Sequence, residues 1–197
     1  MIQHAPGILF SPNSEWRKIA AVAENASNLV YLLILAVLPA VAWYYGTTQV
    51  GWSVGAGEVI KLTQASATRI IILFYLAMVA AVIIIGYFTH WMSVSYGAQS
   101  TLMKGISVAA YSATPMFIAG LVGFHPLLWI DMLIGVGAVS WSLYLLYVGI
   151  PIVMNIPKER GFLFASAIVA VCLVMLIVIM SASVILWDMG AAPEYTN

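Results

Sequence analysis

The sequence predicts an all-α membrane protein: a polytopic bundle of about five transmembrane helices, led by a short amphipathic helix. Three observations predict it. Of the 197 residues, 63% are hydrophobic and only 7% are charged, whereas a water-facing surface needs roughly 25–35% charged residues of mixed sign. The mean hydropathy is +1.04. Five stretches each come close to the ~20 predominantly apolar residues that cross a hydrocarbon core. The outer surface therefore faces lipid. The chain reads as a single domain over 1–197, with an amino-terminal segment 1–26 and a transmembrane bundle 27–197.

The first element runs from Pro12 to Glu24. Ser11 suits an N-cap and Pro12 the first helical position. Trp16, Ile19, Ala20 and Ala23 fall at i, i+3, i+4 and i+7, with Glu15, Lys18 and Glu24 on other faces. That pattern predicts a helix lying in the membrane interface, anchored by Trp16. The first 26 residues lack a continuous apolar core, so a cleavable signal peptide is not expected.

The spans follow at Leu29–Tyr45, Ile70–Phe88, Ile106–Phe124, Leu127–Ile150 and Phe162–Trp187. Pro39 and Pro115 should kink the first and third, because proline removes a backbone hydrogen bond. Tyr111, Ser112 or Thr114 can bond a carbonyl freed in this way. Pro151 is expected to end the fourth span. The short turn Gly123-Phe124-His125-Pro126 predicts an antiparallel hairpin between the third and fourth. The long connection 46–68 should pack down on the membrane surface through Trp52, Val54 and Val59, with a short helix starting over Glu58 to Lys61. Small residues recur at four-residue spacing (Ala77 and Ala81; Gly105, Ala109 and Ala113; Ala119 and Gly123), which lets helices approach closely in lipid.

Lysine and arginine in the connections set orientation. Arg17, Lys18, Lys104, Lys158 and Arg160 fall on the amino-terminal side, against Lys61 and Arg69 on the other. The expectation is an N-terminus inside and a C-terminus outside. Zero net charge gives no footprint for nucleic acid, and a lone Cys172 in an apolar run supports neither a disulfide framework nor a metal site. No cofactor is expected. Ionisable residues within the membrane are few. His125 and Asp131 stand close together near the hairpin turn, where they could relay protons or hold a metal ion; the plainer account is a polar pair at the interface, with Asp131 favoured by the helix dipole. No nucleophile motif, phosphate loop or carboxylate pair is present, so no catalytic residue is assigned.

Three groups of residues resemble the Yip domain family, membrane proteins whose eukaryotic members are named for interacting with Ypt/Rab GTPases. Pro12 to Trp16 followed by Ile19 is similar to the family's Pro-x-x-x-Trp-x-x-Ile helix. Gly46-Thr47-Thr48-Gln49-Val50-Gly51-Trp52 resembles the outer-loop signature of a bacterial inner-membrane branch. Tyr111-Ser112-Ala113-Thr114-Pro115 and Tyr144 to Pro151 resemble elements of its later helices. The resemblance implies five helices, a cytoplasmic N-terminus, an inner-membrane location and no catalytic residues. The aspartate-rich element of eukaryotic members is not evident, so a GTPase partner is not implied. The expected partners are membrane lipids, a second copy or other membrane proteins. The expected role is organising membrane or membrane partners, with the Pro12–Glu24 helix as a wedge. The alternative is a permease or channel for a small solute, ion or metal, using the kinks at Pro39 and Pro115 with polar groups such as Tyr111, Thr114, His125 and Asp131.

Overall fold

The predicted spans appear as helices that run longer at most ends, because polar residues beyond each apolar stretch continue the backbone ladder. The structure, a computed structural model, describes residues 4–53 and 58–196. In chain order the helices are α1 (His4–Phe10), α2 (Pro12–Val22), α3 (Ser27–Tyr45), α4 (Gln64–Ser93), α5 (Leu102–Ser112), α6 (Thr114–Ala119), α7 (Leu128–Val153) and α8 (Lys158–Leu186). α3, α4, α7 and α8 are each long and apolar enough to cross a membrane.

The fifth crossing is the bent pair α5 and α6, which turn by 40° at Ala113. Its two ends lie beside the two ends of α3. At one end Lys104 pairs with Glu24, just before α3, at 3.1 Å. At the other, a Cβ on Gly46, just after α3, would fall 1.7 Å from the carbonyl oxygen of Gly123. The pair therefore runs the full length of α3. The bend sits two residues ahead of Pro115, whose ring denies the backbone one helical bond, and the Thr114 hydroxyl reaches back to the Ala110 carbonyl at 3.4 Å. Pro39 behaves differently: α3 is one helix through it, and its ring lies where a Cβ on Gly120 would be 2.4 Å away.

Two other expectations change. α7 continues past Pro151 to Val153. It stops at Asn155, which takes a left-handed φ of 52° while the Ile156 amide bonds the Pro151 carbonyl at 3.1 Å; Pro157 then bars continuation. Glu58 to Lys61 does not start a helix. Ile60 bridges Trp52 in antiparallel fashion, and β1 (Lys61–Leu62) pairs antiparallel with β2 (Tyr195–Thr196). Thr63 then caps α4, its hydroxyl accepting from the Ser66 amide. Trp52 is half-buried and Val59 exposed; Val54 lies outside the described residues.

The pairing of β1 with β2 puts the loop after the first crossing and the segment after the last on one face, as five crossings require. The opposite face carries α1, α2 and the connections 94–101 and 154–157. Glycines set the close approaches between helices. A Cβ on Gly105 would meet the Gly86 carbonyl oxygen at 2.1 Å, and one on Gly161 would meet Pro151 at 2.6 Å. α6 packs against α7 as an antiparallel hairpin. Leu173, Ile177, Met180 and Val184 along the last turns of α8 are all exposed, the apolar surface expected against lipid.

Candidate functional site

The polar chemistry of the chain gathers where α1 and α2 sit on the ends of α3, α5 and α7. Trp16 is fully buried, and Gly149 of α7 leaves it room: a Cβ there would lie 2.5 Å from the indole. Ile19 and Ala23 are buried as well. The apolar side of α2 therefore faces the bundle, and Trp16 anchors the helix to protein rather than to headgroups. Pro12 is buried at the start of α2, and the Ser11 side chain makes no cap bond there.

Glu15, off the apolar side of the helix, is nonetheless only 5% exposed. α1 covers it, with Gly7 placed so that a Cβ would touch the carboxyl at 2.6 Å. The His4 imidazole Nδ1 donates to one carboxylate oxygen and the Lys18 ammonium to the other at 2.9 Å. The His4 bond, with Lys18 behind it, outweighs desolvation and holds the Glu15 carboxyl below its ordinary value of 4.5.

Deeper in, a hydrogen-bonded cluster fills the junction of α2, α3, α5 and α6. The Asn28 amide donates to the Val22 carbonyl at 3.0 Å and to the Ser107 hydroxyl at 2.8 Å. Ser107 donates to the Ala23 carbonyl at 2.7 Å, and Tyr111 donates to the Asn28 side-chain oxygen at 3.2 Å. Tyr31 stacks on Tyr111 with centroids 4.4 Å apart and shares a hydrogen bond with Thr114 at 2.7 Å. In lipid such groups must bond one another. Thus Tyr111 and Thr114 meet through Tyr31, with Asn28 and Ser107 beside them, while Pro115 is buried next in the chain.

His125 and Asp131 are not joined: among the described residues no hydrogen bond or ion pair links them. His125 closes the turn after α6 and is exposed. With Trp52, Pro126, Trp129 and Met132 it lines a cavity of about 550 Å³ at the face carrying β1 and β2. Asp131 is half-buried in the first turn of α7, and its shielded Oδ1 has no partner. Among the described residues no three His, Cys, Asp or Glu side chains are grouped to hold a metal.

The outer-loop signature does structural work. Thr47 and Thr48 each donate to the α3 backbone, at the Trp43 and Tyr44 carbonyls, at 2.7 Å. The Gln49 carbonyl accepts from the Lys61 ammonium. Gly51 has a φ of 79°, which its lack of a Cβ permits, and this turns Trp52 toward Ile60 and Tyr195.

Sequence reasoning missed α1, Glu15 and Asn28. His4, Glu15 and Lys18 carry a signal only once α1 folds back. Asn28 does carry one: it is an amide at the start of an otherwise apolar span.

The Yip1 domain family model matches residues 7–179. The chain is similar to the inner membrane protein YohC of Escherichia coli strain K12, with 36% identity over 191 residues covering 96% of this chain and 98% of that protein. The same protein of Escherichia coli O6:H1 strain CFT073 matches equally, at 36% over 191 residues. No solved structure matches.

Proposed function

From its membership of the Yip1 domain family, and as a multi-pass inner-membrane protein, we propose that this chain has no catalytic activity and organises the bilayer surface or partners bound there. One observation carries this. Trp16 packs α2 onto the bundle and Glu15 ties α1 to α2, leaving Phe10 (86% exposed), Arg17, Lys18 and Val22 facing outward. Apolar and basic side chains on one fixed platform suit an interface. The platform replaces the wedge expected of α2, whose apolar side is committed to protein. Arg17, Lys18, Lys104, Lys158 and Arg160 all belong to the platform face, which supports a cytoplasmic N-terminus.

A permease would need a polar path through the middle. The cavity beside His125 and the groove beside Lys158 lie instead at the two faces, and the polar cluster is bonded to itself. Reconstitution in liposomes tests the proposal. The protein is expected to change vesicle size relative to protein-free liposomes, and Phe10→Ala with Arg17→Gln is expected to weaken that effect while leaving the fold intact. Vesicles indistinguishable from protein-free ones, or a solute flux abolished by Asp131→Asn, would replace it with the transport reading.

A further inference from the structure

The platform face carries a groove between α2, α7 and α8 of about 430 Å³, lined by Asn13, Tyr147, Pro151, Ile152, Lys158 and Phe162 among others. Its volume falls in the range of ligand sites, ~300–1,000 Å³. Its layout is graded. Pro151 and Ile152 form an apolar floor. Tyr147 and Phe162 make one wall, their rings 5.2 Å apart. Asn13 and Lys158 stand at the rim, both exposed.

Lys158 is the charged side chain among the groove's lining residues; Arg17 and Arg160 belong to the same face without lining it, and the Arg160 guanidinium lies beside Gly97. Of the five lysines and arginines on this face, Lys18 and Lys104 are paired with Glu15 and Glu24. Arg17, Lys158 and Arg160 have no carboxylate within ion-pair distance among the described residues. Arg17 stands one turn beyond Asn13 on the same side of α2. Lys158 opens α8, whose first amides lack helical acceptors. Glu159 is the opposing charge, exposed and outside the groove.

We propose that this groove seats an anionic glycerophospholipid, with an acyl chain along Pro151 and Ile152 and its phosphate against Lys158 and the start of α8. This rests on the membrane-surface role above and names the lipid class. Charge complementarity selects the occupant: an apolar floor under a rim whose charged side chain, Lys158, has no carboxylate partner among the described residues.

The test is lipid retention in nanodiscs of equal phosphatidylglycerol and phosphatidylcholine, read by mass spectrometry after mild detergent transfer. Wild type is expected to retain phosphatidylglycerol preferentially. Lys158→Gln should cut that preference about fivefold, the effect of one cation near a charged headgroup. Ile152→Trp, which fills the floor, should lower retention of both lipids. Lys61→Gln, on the other face, should change neither. Equal retention of the two lipids by wild type, or unchanged retention in Lys158→Gln, overturns the proposal. Displacement of the lipid by inorganic phosphate added alone would assign the rim to free phosphate and overturn it too. Retention is read without reference to vesicle size, so failure here leaves the liposome result for the platform standing.

Discussion

Asn28 is the residue on which the buried cluster turns, because its side chain bonds Val22, Ala23, Ser107 and Tyr111 at once. Asn28→Leu keeps the volume and strips the bonds, leaving the buried Tyr111 hydroxyl without its acceptor, while the Val22 carbonyl keeps the Asn25 amide. The expected cost is about 1–3 kcal/mol, read as a lower melting temperature in detergent. Tyr31→Phe should cost less, since Thr114 retains the Ala110 carbonyl as an acceptor. Glu15 gives a pH signature. Its folded pKa lies below 4.5, so its contribution is complete above that value and is lost as pH falls through the folded one. Acidification from about pH 5 to about pH 3 should lower the melting temperature of wild type more than that of Glu15→Gln. The heptad-like run Trp16, Ile19, Ala20, Ala23 was legible as an apolar side. What it would face was not, because a helix beside a membrane can bury that side in lipid or in protein, and only Gly149, more than a hundred residues on, decides between them.

At the scale of elements, glycines divide into two kinds. Gly86 and Gly105 hold α4 and α5 in backbone contact, and Gly105→Val should cost about 1–3 kcal/mol through overpacking. Gly135 and Gly137 on α7 have nothing within 4 Å of an added Cβ. Alanine there should be neutral or stabilising by up to about 1 kcal/mol, the cost of glycine in a helix. Thermal melts of these variants in one detergent check the contrast. The four-residue spacing of Gly105, Ala109 and Ala113 announced close packing, yet it named no partner, since Gly86 belongs to no such series. Helix ends were read short because apolarity sets the span whereas hydrogen bonding sets the helix. The stop at Pro151 was misread because a proline forfeits one bond, and here Asn155 could still close the turn beyond it.

For the molecule as a whole, the five-crossing topology predicts that Lys18 and Thr196 lie on opposite sides of the membrane. In a Cys172→Ala background, Thr196→Cys should react with an impermeant maleimide added outside intact cells. Lys18→Cys should react only after the membrane is opened. Hydropathy and proline positions made the number of crossings legible, including the bend in the third. The clustering of His4, Glu15, Asn28 and Tyr111 was not legible, since it depends on how separate helices meet. Nor could proximity in sequence tell that His125 and Asp131 would go to different surroundings.

The short sheet joining Lys61–Leu62 to Tyr195–Thr196 also fixes an order of events during biosynthesis. Its two strands lie far apart in the chain, the Thr196 hydroxyl meeting the Lys61 carbonyl across 135 positions. At about 5–20 residues per second, a ribosome delivers the second strand on the order of ten seconds after the first. Until then the edge of β1 lacks its partner strand, so this pairing closes only once the last crossing has been made.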